Sequence, residues 1–150
     1  MSIFHSMNTS ASALTSQRLR MDVASSNIAN ANSTRATLNE NGEWEPYRRK
    51  MVVFQPVENN FQNFLHKAAQ QGSSGSGVEA TQIREDEEPF KVVFNPNHPD
   101  AGEDGYVQVP NVDPLQEMVD MMSATRSYEA NVTSVNASKS MLMKALEIGR

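Results

Sequence analysis

Residues 3–31 read IFHSMNTSASALTSQRLRMDVASSNIANA, without a glycine or a proline, and this stretch decides the fold. Alternate steps of four and three residues along it reach nine positions, and seven of them are apolar. This spacing predicts one long helix with a coiled-coil-like seam, which small and flexible side chains make thin. The seam positions are Ile3, Met7, Ser10, Leu14, Gln17, Met21, Ala24, Ile28 and Ala31.

A second long helix is predicted over residues 114–148. Asp113 offers a side-chain acceptor to the first helical amides, and Pro114 suits the first turn. Gly149 is expected to end the helix. The seam positions are Met118, Met121, Thr125, Tyr128, Val132, Val135, Lys139, Leu142 and Leu146, and Met122 and Met143 widen the seam.

The residues between the two helices have a different character. Runs rich in β-forming residues stand at residues 47–57, 90–94 and 105–109, and a less regular run covers residues 78–84. They predict a small antiparallel sheet. The stretch QQGSSGSG at residues 70–77 is typical of a flexible loop or linker.

The predicted fold class is therefore α+β. The long N- and C-terminal helices pair as a coiled-coil-like bundle, and a small inserted antiparallel β domain buds from one end. Residues 1–38 and 112–150 would form a helical assembly domain, and residues 39–111 the β domain. One pair of helices cannot bury stripes this long, because the flanking positions stay in water. Further helices are therefore expected from other chains.

Charge is distributed unevenly along the 150 residues. The 18 acidic and 13 basic residues give a net charge of −5 and a pI near 5.2. Residues 1–38 sum to +2, residues 39–111 to −6 and residues 112–150 to −1. The acidic middle gives no basis for binding nucleic acid or an anionic membrane surface. The nearly neutral ends do not oppose self-association.

Composition also disfavours several other classes of protein. The absence of cysteine excludes disulfides, thiolate metal sites and a cysteine nucleophile. No apolar run approaches the roughly 20 residues of a membrane span. The first residues lack the basic and apolar regions of a cleaved secretory signal, so none is expected. The mean hydropathy of −0.56 indicates a small core for this length.

No catalytic residue, cofactor site or metal site is predicted. The acidic run Glu85–Glu88 lacks the ligand spacing of a calcium loop and is interpreted as a solvated turn. His5, His66 and His98 have no paired metal-ligand spacing, and His98 stands among turn-forming residues. The glycine-rich residues 72–77 follow no clear strand and open no helix, which argues against a phosphate loop.

Three other segments allow alternative interpretations. The basic cluster Tyr47–Lys50 could pair with the acidic run across the sheet or with a neighbouring subunit. The methionine-rich face of the C-terminal helix is either core or an adaptable interface, and interface is favoured because little else in the chain could cover it. The asparagine-rich residues 27–32 either cap a helix terminus or form a close-packed seam whose amides hydrogen-bond across chains.

The sequence resembles the flagellar basal-body rod and hook family over nearly its whole length. The N-terminal signature is Ser12-Ala13-Leu14, Gln17, Arg20-Met21-Asp22-Val23 and Asn27-Ile28-Ala29-Asn30. The rest resembles proximal rod members of that family. Those matches are Pro46–Lys50, Val52–Phe54, Pro89–Lys91, His98–Asp100, Gly105–Val107, Pro110–Asp113, Glu117–Met121, Arg126–Val132 and Lys144–Leu146.

This resemblance implies a D0-type helical bundle and a structural, non-enzymatic subunit of the bacterial flagellum. Such a subunit would be exported unfolded by the flagellar type III apparatus, which fits the missing signal. It would polymerise into a hollow rod that crosses the periplasm, transmits torque and lets export substrates through. Its partners would be copies of itself, other proximal and distal rod proteins, and the rod-base connecting subunit.

Two rival functions remain: a soluble coiled-coil adaptor that forms closed oligomers, and, as the weakest, a hydrolase built on the acidic run.

Periodicity and resemblance together predict one assembly interface. The predicted interface residues are Leu14, Gln17, Met21, Asn27, Ile28, Asn30, Met118, Met121, Met122, Tyr128, Asn131, Val132, Val135, Leu142 and Leu146.

Overall fold

The computed structural model describes residues 3–39, 42–57 and 77–149. Long helices stand at the two ends, and short strands fill the sequence between them, which confirms the predicted α+β class. Apart from Gly77, the predicted flexible loop lies outside the described residues, as does His66. In chain order the elements are α1 (Ile3–Ala29), β1 (Thr37–Leu38), β2 (Trp44–Glu45), β3 (Lys50–Pro56), β4 (Val78–Glu85), β5 (Lys91–Phe94), β6 (Tyr106–Val109) and α2 (Pro114–Ile148).

The helix ends follow the capping residues closely. The Asp113 side chain accepts a hydrogen bond from the Leu115 backbone amide at 3.0 Å, which confirms the predicted start of α2. Gly149 ends the helix as expected, with a negative φ of −85°. Helix α1 ends two residues earlier than predicted. There the Asn30 side-chain amide donates to the Ser26 carbonyl at 2.9 Å, as a capping residue does.

The two helices pack against each other in antiparallel orientation. The Asn27 amide donates to the Glu117 carboxylate at 2.9 Å, and the Thr125 hydroxyl lies 3.3 Å from the Met21 sulfur. As the number rises along α1, the number of its partner falls along α2. The predicted pairing of the terminal helices is thus confirmed within one chain.

The expectation of a single small sheet is wrong in one respect, because the described strands form three separate two-stranded antiparallel sheets. They pair β1 with β2, β3 with β4, and β5 with β6. The longest, β3–β4, runs from Lys50 opposite Glu85 to Pro56 opposite Val78. Pro89 and Pro110 stand beside the β5–β6 hairpin and have no backbone N–H to donate, so they stop its ladder from extending.

The β3–β4 sheet does not bud from one end of the bundle but lies along α1. At one end the Ser16 hydroxyl donates to the Val78 carbonyl at 3.1 Å, and the Ser12 hydroxyl accepts from the Val78 amide at 3.1 Å. At the other end Asn27 hydrogen-bonds to Lys50. The seven residues of β3 span about 20 Å, close to the roughly 22 Å of helix between Ser12 and Asn27. The strand pair and the helix segment therefore match in length.

The buried apolar core is small and built mainly from small side chains. Ala24 and Ala124 are almost fully buried, and their size lets α1 and α2 approach closely. Among the described residues the buried apolar side chains are Ala24, Pro46, Tyr47, Val107, Pro110, Val112 and Ala124.

Candidate assembly surface

The surface of α2 carries an exposed apolar stripe over its first two turns. Its members lie at intervals of three and four residues, which places them on one face of a helix. They are 46 to 74% exposed, so water rather than protein covers this face. We refer to Leu115, Met118, Val119 and Met122 as the apolar stripe.

A second exposed apolar region lies at the opposite end of the helix pair, where α1 begins and α2 ends. Leu146 is 71% exposed and Ile148 is 85% exposed. This region faces several directions around α2 instead of forming one stripe. We call it the distal end, and its residues are Phe4, Met141, Met143, Leu146 and Ile148.

A groove of about 690 Å³ runs between the two helices. Met21, Met121 and Tyr128 contribute apolar surface to it, and Arg18 and Glu129 contribute charge. Methionine side chains adapt their shape to a partner more readily than branched ones do. The groove is therefore lined by residues of the predicted seam and is a place where a helix of another subunit could bind.

The structure places the predicted interface residues in three environments. Met118, Met122 and Leu146 are exposed. Asn27 is 1% exposed and makes its contacts inside the chain, so it has no side-chain surface to offer another chain. The half-buried members, which lie on or near the helix seam, are Leu14, Gln17, Met21, Ile28, Asn30, Met121, Tyr128, Asn131, Val132, Val135 and Leu142.

Leu115 and Val119 were missed because the prediction followed strict heptad steps. Together with Met118 and Met122 they show the i, i+3, i+4, i+7 spacing of a broad apolar face, and this spacing was visible in the sequence. The distal residues Phe4 and Ile148 stand next to the chain ends and belong to no heptad position that the prediction used.

The helix junction is a buried polar cluster where α1, α2 and the start of β3 meet. At its centre, the Asn27 amide nitrogen donates to the Lys50 carbonyl at 2.8 Å and to Glu117 Oε2 at 2.9 Å. The Asn27 amide oxygen accepts from the Lys50 backbone amide and from the Tyr47 hydroxyl, each at 3.0 Å. All four bonds that an asparagine side chain can readily make are formed, so burying this amide leaves none of its groups unpaired.

Arg49 compensates the buried charge of this junction. Its Nε donates to Glu117 Oε1 at 2.6 Å, and its Nη1 lies 3.3 Å from Asp86 Oδ2. Burial by itself would lower the pKa of Arg49, but its hydrogen bonds and charge attraction to Glu117 and Asp86 raise that pKa. Of the two alternatives for the basic cluster, the contact with Asp86 shows that Arg49 pairs with the acidic run inside one chain.

Two further side chains hold the junction together. The Asn111 oxygen accepts from the Arg49 backbone amide at 2.8 Å, and its nitrogen donates to the Glu88 carbonyl at 3.1 Å. On the helices, Arg20 Nη2 donates to Asp120 Oδ1 at 2.8 Å. No local sequence pattern indicates this cluster, because its members come from positions up to 100 residues apart.

A smaller polar cluster ties the segment after α1 to the loop between β5 and β6. Asp100 accepts from Arg35 Nε at 2.6 Å and from the Thr34 hydroxyl at 2.7 Å. The hydrogen bond from Arg35, followed by that from Thr34, lowers the pKa of Asp100. The Asp100 backbone amide donates to His98 Nδ1 at 3.1 Å, which completes the turn that the sequence indicated.

Within the described part of the chain, no group of three or more histidine, aspartate or glutamate side chains could hold a metal ion. Over the same residues, no helix combines the length and apolar character needed to cross a membrane.

Comparison with known proteins gives a consistent result at both ends of the chain and over its full length. A family model described as flagella basal body rod protein matches residues 7–37. One described as flagellar basal body rod FlgEFG protein C-terminal matches residues 103–148. Together the matched segments contain nearly all of α1 and α2.

Three relatives that match over the whole chain share the name flagellar basal-body rod protein FlgC. The relative from Bacillus subtilis (strain 168) is 58% identical over 151 residues, covering 100% of both chains. That from Borreliella burgdorferi is 43% identical over 99% of this chain and 98% of its own. That from Escherichia coli O6:H1 is 40% identical over 100% of both.

Proposed function

The chain belongs to the family of flagellar basal-body rod proteins, and we propose that it is a structural subunit of the proximal rod whose copies polymerise through the paired terminal helices. The observation that carries this proposal is the apolar stripe on α2, which a single chain leaves in water. The distal end adds a second surface of the same kind.

The size of these surfaces is sufficient for assembly. Burying one exposed leucine, valine or methionine side chain fully contributes roughly 1.5–3 kcal/mol. The two regions together offer nine large apolar side chains. Association costs an estimated 4–15 kcal/mol or more of lost rigid-body freedom, which several such side chains would offset.

The form of the polymer follows from the positions of the surfaces. The apolar stripe and the distal end lie at opposite ends of α2, so a contact between them would be heterologous. Heterologous contacts that do not close produce a helix of subunits. The proposed product is a hollow helical drive shaft that transmits torque and lets export substrates pass, and no catalytic step is part of this role.

The proposed partners are those expected of a subunit of the rod. They are copies of the chain, other proximal and distal rod proteins, the rod-base connecting subunit and the flagellar type III export apparatus, without nucleic acid or direct membrane insertion. The location within the flagellar basal body would be the periplasm-spanning rod. Residues 1–38 and 112–150 would form the assembly domain, and residues 39–111 would decorate its outside.

The test replaces Met118 with aspartate in a motile bacterium whose own copy has been deleted. We expect Met118→Asp to abolish motility and to remove the subunit from purified basal bodies, because a charge in the stripe opposes its burial. Met118→Leu keeps the side chain apolar and is the matched control, which should remain motile. Normal incorporation of Met118→Asp would contradict the proposal.

Light scattering on the purified chain separates the rod from the rival adaptor. An adaptor that forms closed oligomers would give one discrete mass that does not change with concentration. It would also leave basal bodies complete when the gene is deleted. If the chain is a rod subunit, deleting its gene should instead leave the basal bodies incomplete.

A further inference from the structure

The residues of the helix seam do not by themselves specify how far along each other the two helices lie. Ala24 and Ala124 are small, and Met21 and Met121 are flexible enough to fill differently shaped gaps. Apolar positions recur at steps of three and four along both helices. A slide of one heptad, roughly 10 Å, would again set small and flexible residues against each other.

We propose that Asn27 and Glu117 are positioning residues, whose buried hydrogen bond sets the register of α1 against α2 and ties that register to the start of β3. This inference concerns the single chain and stands independently of which subunits surround it.

Asn27 is suited to this role because it is fixed to the sheet on one side and to α2 on the other. Its amide group bonds to both the N–H and the C=O of Lys50, as the backbone of a neighbouring strand would. The same amide nitrogen reaches Glu117 across the seam. Helix α1 therefore cannot slide without breaking its bonds to β3.

Glu117 provides the second half of the constraint. It is 2% exposed, and its two oxygens are separately occupied by Asn27 and by Arg49. A heptad slide of α2 that brought Val132 to Met21 would carry Glu117 past the end of α1 at Ala29 and separate it from Asn27 and Arg49. The largely buried guanidinium of Arg49 would lose its nearest carboxylate, and breaking such a pair is destabilising. A buried polar residue in an apolar seam is a known way to select one register among several.

The test introduces pairs of cysteines. Because the sequence contains no cysteine, any disulfide that forms must join the two engineered residues. Met21→Cys with Thr125→Cys reports the observed register, since these side chains are in contact. Met21→Cys with Val132→Cys reports a slide of one heptad. Because a disulfide needs Cα atoms within about 7 Å, each pair reports one register only. Disulfide formation is measured by gel mobility at high dilution under mild oxidation.

With Asn27 and Glu117 intact, we expect cross-linking of the Met21–Thr125 pair and almost none of the Met21–Val132 pair. Replacing both positioning residues, as Asn27→Leu with Glu117→Leu, should raise the Met21–Val132 product at least tenfold. Arg20→Met removes the neighbouring ion pair with Asp120 and leaves both positioning residues, so it is the matched control. It should keep the original pattern.

Unchanged exclusive cross-linking of Met21–Thr125 in the double variant would overturn the proposal, because the seam would then set the register unaided. If the double variant does not fold, Glu117→Met replaces it, since that change keeps the Asn27–Lys50 bonds. In Glu117→Met too the Met21–Val132 product should rise. Glu117→Gln can still accept the hydrogen bond from Asn27, so it should give mainly the Met21–Thr125 product. An unshifted Glu117→Met would equally overturn the proposal.

Discussion

The helix junction and the distal end belong to the same two helices but are stabilised in opposite ways. At the junction Asn27 and Glu117 are nearly inaccessible to water, and their polar groups are paired within the chain. At the distal end Leu146 and Ile148 are largely exposed. The inward-facing polar groups of the junction are thus satisfied within a single subunit, whereas the distal end, like the apolar stripe on the outer face beside the junction, lacks the apolar partners that would cover it.

Helix length explains much of this difference. Helix α2 has 35 residues and α1 has 27, or about 52 and 40 Å. Counting outward from the Asn27–Glu117 contact, Ile3 comes opposite about residue 141 of the antiparallel partner. The last turns of α2 therefore extend past the described start of α1.

The largest effect is expected from Asn27→Asp at the junction. The new carboxylate would face that of Glu117 and could not donate to the Lys50 carbonyl. We expect a loss of about 3–5 kcal/mol in the free energy of unfolding, as for a buried charge without a partner. Urea unfolding measures it. Asn32→Asp, in the exposed turn after α1, is the matched control and should change stability little.

Hydrogen exchange gives the next largest contrast, between the two ends of the helix pair. In the free chain, amides of residues 20–27 should exchange about 100-fold more slowly than those of residues 142–148, because only the former are held by the junction. Incorporation into basal bodies should remove most of this difference. Equal protection at both ends of the free chain would contradict the idea that the distal end is completed by other subunits.

A smaller effect is expected from Tyr47→Phe, which removes one hydrogen bond to Asn27 and keeps the ring. The free energy of unfolding should fall by about 1 kcal/mol, the usual net contribution of a hydrogen bond. Denaturant unfolding provides the measurement. Tyr106→Phe, at an exposed tyrosine, serves for comparison. Equal losses in the two variants would show that the junction bond contributes nothing beyond an exposed hydroxyl.

The smallest effect concerns acid stability at Asp100. Its folded-state pKa lies below the ordinary value of 3.8, so its ion pair contributes stability above that pH and loses it as the pH falls through the folded pKa. Asp100→Asn should therefore be less stable than the natural chain at neutral pH, and the two should converge in strong acid. Thermal unfolding as a function of pH checks this, with the exposed Asp104→Asn as control. A constant gap at all pH values would exclude the ion pair as its cause.

The sequence was sufficient to predict what depends on neighbouring residues. The start of α2 follows from Asp113 and Pro114, and the length of α1 from an uninterrupted apolar spacing. The exposed stripe was only half recognised, since a strict heptad step passes over Leu115 and Val119. Pro89 and Pro110 mark where the β5–β6 ladder stops, but which strand pairs with which, and contacts such as Asn111 bonding to Arg49, join residues that are distant in the sequence.

The junction shows the same limit more clearly. Asn27 could be interpreted as a cap or as an intersubunit contact, and nothing near it in sequence indicates that Lys50 and Glu117 are its partners. These residues are 23 and 90 positions away along the chain. A single sequence shows which groups need partners once buried, but not which of the available partners the fold brings to them.

The matched lengths of β3–β4 and α1 have a mechanical consequence. Because the strand pair is attached to the helix near Ser12 and again at Asn27, the two elements must deform together. Bending α1 between those points would also strain the hydrogen-bonded ladder of the hairpin, since the ends of the two elements cannot move apart freely. The hairpin thus braces the helix over about four turns, which makes this part of the subunit stiffer than a helix pair without a hairpin.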